Sequence, residues 1–332
     1  LTEDADLTIT TGSGNGNISF AGAIKGTTDT PTKFSDVSLT SGAGTVTLSS
    51  TVSDDIKDLT ISSGTADVTL KGNITLEGTG ALDITGNVVA DVATLAITTT
   101  GGSSAGGAVT ITGKLDSGTS ADRNVDIISG SGLTKITGNI GTVKALATLD
   151  INAVEANANT GGVTLEGDIG SGSTSNSGVG ITSTLKLGNP KTDNTVTLKG
   201  QNISLGDDFT LYAKDYSIAS GSTNLTIVTS DDKVLFKKAT DETGNVTLGE
   251  KNFTIDTSTG GGVGDTITFE GDIVGATHGT PSSNTAVDIS LDGGTGGTVT
   301  VLNIGHTNGT DNTEINAVSL TGAAVSTNGK IN

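Results

Sequence analysis

Apolar and polar positions alternate along this chain in a phrase that recurs from one end to the other. Its clearest copy is Leu59 to Ile74, LTISSGTADVTLKGNI. It reads apolar-Thr-apolar, a small polar turn with Gly, apolar-Thr-apolar, then a Gly and one more apolar residue. Strand side chains alternate with a period of two, so Leu59, Ile61, Val68, Leu70 and Ile74 share one face while Thr60 and Thr69 take the other. Two strands with a corner between them make one side of a coil. Looser copies include Leu7-Thr8-Ile9 with Ile18-Ser19-Phe20, Val37-Ser38-Leu39 with Val46-Thr47-Leu48, and Leu149-Asp150-Ile151 with Val163-Thr164-Leu165, Gly167 and Ile169. Later copies include Val196-Thr197-Leu198, Phe253-Thr254-Ile255 with Ile267-Thr268-Phe269, and Val287-Asp288-Ile289 with Val299-Thr300-Val301.

Copies lie roughly 22 to 36 residues apart, a period that marks a solenoid. The connections between them are rich in Gly, Ser, Thr and Asn, where a solenoid tolerates insertion. An antiparallel sandwich also has short strands and frequent turns. Against it, one phrase repeats in one order, and tight Asn-Gly hairpin signals are few, Asn308-Gly309 and Asn328-Gly329 being the clearest. No stretch has a helical period, which removes a βαβ arrangement. The expected fold is all-β: a single parallel β-helix (β-solenoid) over 1–332 with irregular rung lengths, right-handed by the preference of parallel crossovers. About 25 to 30 residues per rung gives about 11 to 13 rungs and a rod roughly 50 to 60 Å long.

Composition sharpens this picture. The chain has 332 residues with 50 glycines, but only 2% of it is aromatic, so the expected core is narrow and lined by Leu, Ile and Val. A single rung buries too few aliphatic side chains to offset its backbone entropy, so neighbours must fold together. The net charge of −19, from 36 acidic and 17 basic residues, excludes general nucleic-acid binding, which needs basic surface to displace counterions. Arg123 is the only arginine. There is no cysteine, so neither disulfides nor thiolate chemistry contribute. No apolar run approaches the roughly 20 residues that span a bilayer. The opening LTEDAD carries neither a basic nor an apolar targeting segment and reads as a mature or excised chain.

The phrase with its Val-Thr-Leu-x-Gly-x-Ile ending, carried best by 59–74 and 149–169, resembles the coils of filamentous-haemagglutinin-type and autotransporter-passenger β-helices. That resemblance implies a secreted, cell-surface β-helix serving adhesion or acting as a stalk. The two-partner secretion members of that group carry an amino-terminal Asn-Pro region, whereas the only Asn-Pro here is Asn189-Pro190, in mid-chain.

Candidate chemistry is sparse. The acidic pairs Asp54-Asp55, Asp207-Asp208 and Asp231-Asp232 are the candidate oxygen ligands for calcium, the one cofactor considered. The nearest approach to a calcium-binding nonapeptide, Gly261 to Asp265, places its Asp one position early and has no tandem copy. Gly12, Gly14 and Gly16 form a glycine-rich loop with no helix behind it to hold a phosphate, so they read as a corner. With His278 and His306 the only histidines, a single arginine and no Arg-Ile-Lys element, the inventory for a polysaccharide-cleaving site is poor, and the chain is read as no enzyme.

Neither end carries an amphipathic helix to cover the last rung, where a solenoid exposes unpaired backbone and open core. Two explanations fit, a piece cut from a longer solenoid or ends covered by the next copy. The expectation adopted is the second, with a second copy as partner, stacked head to tail into an extracellular filament or surface fibre. The contact would run through Leu1, Leu7 and Ile9 at one end and Val318, Leu320, Val325 and Ile331 at the other. The alternative is a monomeric adhesin that meets a surface or glycan ligand through loops such as 170–184 or 274–286.

Overall fold

The computed structural model describes residues 5–26, 35–53, 55–101, 105–119, 121–153, 160–170, 178–192, 194–199, 202–219, 224–249, 251–259, 261–275, 287–305 and 315–331. Every described element is a strand or an irregular connection, and the ladders between named strands are all parallel. The chain is a parallel β-solenoid. Each turn of the coil lays its strands beside those of the turn before, so strands pair with partners one rung away in sequence rather than with their immediate neighbours.

One face is a 12-stranded sheet running from Ile24–Lys25 to Ala324–Thr327. That count falls within the range expected from the repeat spacing. A second, 15-stranded sheet begins at Leu7–Thr10, and a 5-stranded sheet in the later rungs runs from Asn202–Ser204 to Ile315–Thr321. Rung length varies as expected: Leu7 pairs with Val37, Val37 with Leu59 and Leu59 with Leu82, while Val163 reaches Val196 only after a longer excursion.

Register stacks the inward residues into continuous columns. Ile18, Val46, Val68, Val88 and Leu115 form one such column. Isolated bridges carry it on through Ile140, Ile169 and Ile203. Ile97, Ile127, Ile151, Leu187, Leu211 and Phe236 form another. Almost all are fully buried. The defining phrase behaves as its alternation predicts, with Leu59, Ile61, Val68, Leu70 and Ile74 all buried. Its two strands are, however, parts of one strand, Ile56–Leu70, interrupted by a bulge around Gly64 (φ 60°) where the register shifts between Ser62 and Asp67. The grouping of Leu149–Ile151 with Val163–Leu165 as one side of a coil also needs refinement. Leu149 pairs with Val125 on the 12-stranded sheet, and Val163 pairs with Thr134 on the 15-stranded one.

Corners are closed by buried hydroxyls. Ser63 donates to the carbonyl of Ala66 at 2.8 Å, Thr99 to Gly107 at 2.7 Å and Ser129 to Gly132 at 2.7 Å. Each satisfies a carbonyl that has left the ladder, at a position where water is excluded. Glycines complete the corners. A Cβ on Gly113 would lie 2.1 Å from the carbonyl oxygen of Gly86, one on Gly138 2.1 Å from that of Gly113, and one on Gly167 2.3 Å from that of Gly138. Gly107, Gly132 and Gly161 form a parallel column with the same constraint. The Gly in the repeated phrase is therefore a stacking requirement, since rungs approach backbone to backbone there.

The aliphatic core expected from composition holds for the first half only. In the later rungs Phe209, Tyr216, Phe236, Phe253 and Phe269 pack together, Phe236 stacking on Phe269 at 4.6 Å and meeting the other three edge to face. The Tyr216 hydroxyl donates to the carbonyl of Lys237, which allows the phenol to sit in the core.

Candidate functional site

Two features bear on function: a corner where carboxylates gather, and the two ends of the coil.

Phe209, Val234 and Ile267 stand in register on consecutive rungs. Asp207, Asp232 and Asp265 each precede one of them by two positions, so the coil aligns them along one corner. Carboxylate oxygens of Asp207, Asp208 and Asp232 come within 4.8 Å of one another. The Asp207 Oδ1 accepts from the Asp208 N–H at 2.7 Å and the Asp208 Oδ1 from the Lys233 N–H at 3.0 Å, which fixes both side chains at the turn. Burial, and then the charges of Asp207, Asp208, Asp265 and Asp231, push the Asp232 carboxyl up to about 6. Three carboxylates in this arrangement offer hard oxygen ligands of the kind calcium takes.

The pairs read from sequence thus divide. Asp207, Asp208 and Asp232 come together from different rungs. Asp231 lies beside them with its backbone in the left-handed region (φ 65°) and its Oδ1 accepting from the Gly264 N–H at 2.7 Å. Asp55 is apart from the cluster, also at positive φ (62°), with its Oδ2 buried and without a hydrogen-bond partner. Asp54 lies outside the described residues, as do Leu1, His278 and His306. Sequence reasoning met Asp265 only as the Asp of an imperfect nonapeptide and missed its alignment with Asp232, which depends on a rung length that only the structure gives.

At the ends, Leu7 and Ile9 of the first strand are only partly buried, although their column partners Val37 and Leu39 are 1% and 0% exposed. The last rung repeats this. Leu320 lies over Leu291 and Val318 over Ile289, each half-buried above a buried partner. Val325 is 45% exposed over a fully buried Val299, and Ile331 49% exposed over Ile304. Of the two loops considered for ligand contact, 171–177 and 276–286 lie outside the described residues.

Corner Asp and Asn side chains also give the coil a direction. The Oδ1 atoms of Asp36, Asn73, Asp168, Asn245 and Asn303 each accept from a backbone N–H on the following rung: Asp58, Ala96, Asn202, Asp272 and Lys330. In these ladders the acceptor belongs to the earlier rung and the donor to the later one; Asn152 is the reverse case, its Oδ1 accepting from the Ser129 N–H of the earlier rung at 2.8 Å.

Compared with known protein families, curated proteins and solved structures, the chain matches none. No helix among the described residues is long and apolar enough to cross a membrane.

Proposed function

We propose that this chain is a structural subunit that stacks head to tail into an extracellular filament or surface fibre. The observation that carries the reading is the contrast within single columns: Val299 is fully buried, and Val325, one rung further along the same column, is 45% exposed. Among the described residues, the inward positions of the first and last rungs have a core neighbour on one side only. A second copy supplies that neighbour, because its first rung bears the same alternation.

Direction supports the same arrangement. The sheets are parallel, and the corner ladders run from acceptor on the earlier rung to donor on the later one. A copy added in the same orientation continues both patterns, whereas a head-to-head contact would reverse them. Such a heterologous contact does not close on itself and grows as a fibre. Exposed strand edges promote this kind of addition. Placement outside the cell rests on the resemblance of the repeated phrase to secreted β-helices.

Sedimentation velocity over a range of protein concentrations tests the reading. Growth of large species with concentration, suppressed by Val325→Asp, is expected. A single monomer boundary at every concentration would overturn it.

A further inference from the structure

Outside the ends and the acidic corner, the described surface has a groove of about 230 Å³ across four consecutive rungs. Its floor is made of outward positions held in register. Asp67 pairs with Asn87, and Val89 with Asp116. The Lys114 N–H donates to the Asn87 Oδ1 at 3.4 Å, linking the next rung to the same column. Past the Ile140 bridge the following rung leaves the sheet through Gly141 (φ 65°), and Val143 forms a wall. That wall is fixed from below: the Val143 N–H donates to the Oδ1 of Asp116, a carboxylate only 6% exposed.

We infer that this groove binds a short stretch of a neutral saccharide chain lying along the solenoid axis. Three rung spacings of about 4.8 Å make it about 14 Å long, the length of a trisaccharide. Its lining suits a sugar. Val89 and Val143 offer methyl surface to ring C–H groups, while Lys114 and Thr119 offer polar side chains to hydroxyls. Asn87 is engaged by the Thr65 carbonyl and the Lys114 N–H, and the buried Ser117 hydroxyl accepts from the Arg123 N–H. Pockets of this kind combine apolar walls with a few polar groups that fix orientation. Val143 is 74% exposed, so its methyl groups are open to a ligand from the solvent side, and its backbone is held by the buried Asp116 carboxylate.

Charge selects the neutral class. Of the two lysines in the lining, Lys144 is paired with Asp122 at 2.9 Å and Lys114 forms no ion pair with a described residue, while Asp67, exposed in the same column two rungs back, carries the opposite charge. An anionic chain would gain at Lys114 and lose at Asp67, inside the wider field of a chain with net charge −19. A hydroxyl-rich neutral chain meets neither repulsion. The inference does not rest on head-to-tail stacking, because the groove lies on a lateral face.

Titration calorimetry on the whole chain tests it, with neutral glucose-, xylose- and N-acetylglucosamine-based oligosaccharides from mono- to hexasaccharide as probes. Expected is binding by at least one series that strengthens up to the trisaccharide and then levels off. Val143→Asp should weaken it about tenfold or more. Val263→Asp, at a site that is 61% exposed elsewhere on the coil, should leave it unchanged and controls for a general effect of surface charge. No binding by any neutral series would overturn the inference. So would equal weakening by the two substitutions, or tighter binding of oligogalacturonate than of the neutral chains.

Discussion

Asp126 and Asp150 stand directly opposite each other on neighbouring parallel strands, with Lys186 next in the same column. Like charges facing across a ladder are destabilising, and here both carboxyls are partly buried. Burial, first of all, holds each above the ordinary carboxylate value of 3.8; Asp126 adds to the effect on Asp150, and Lys186 opposes it for both. The Asp150 Oδ1 has no hydrogen-bond partner.

The sign of the pH dependence follows. With folded pKa values above the unfolded ones, the folded chain holds more protons through that window, so stability falls as pH rises through it. Asp150→Asn should therefore stabilise at neutral pH by a few tenths to about 1 kcal/mol. The gain should vanish below the ordinary value of 3.8. Lys186→Met should do the opposite at neutral pH. Denaturant melts at the two pH values check both, and a pH-independent effect of Asp150→Asn would contradict the assignment.

Asp232 gives a second, separable signal. Its carboxyl is raised to about 6, so the electrostatic cost is absent below 3.8 and fully present above about 6. Carboxyl carbon NMR should find a midpoint near that value. Asp207→Asn should lower it, since Asp207 is the first-ranked charge acting on Asp232 after burial. A midpoint in the ordinary range, unmoved by Asp207→Asn, would show that the corner does not hold these side chains together.

The glycine columns predict position-specific intolerance. Gly138→Ala would place a methyl 2.1 Å from the Gly113 carbonyl oxygen, and a shift of the rung should cost about 1 to 3 kcal/mol. Gly22 has nothing within 4 Å of the added carbon, so Gly22→Ala should fall within about 0.5 kcal/mol of the parent. Thermal melts of the two variants decide this, and equal effects would contradict the stacking role.

Much of this architecture was legible because burial on a strand writes itself into a period of two. Leu59, Ile61, Val68, Leu70 and Ile74 could be placed on one face without coordinates. The Gly before the last apolar residue could be seen but not explained, because the atom that excludes a Cβ at Gly138 belongs to Gly113, one rung away. Rung lengths were legible only approximately, and this hid the alignment of Asp265 with Asp232 and the facing of Asp126 by Asp150. The lateral groove was invisible for the same reason: it draws Asp67 and Val143 from separate rungs, and neither stands out in its own segment.

The most direct measurement of the central claim is negative-stain electron microscopy of the purified chain, alone and with Leu320→Asp and Val325→Asp combined. Head-to-tail stacking predicts long filaments with an axial repeat of about 58 Å, the height of a 12-stranded sheet at about 4.8 Å per strand. The doubly substituted chain should remain as short rods. Uniform short rods from the unsubstituted chain, or filaments unaffected by the two charges, would contradict it.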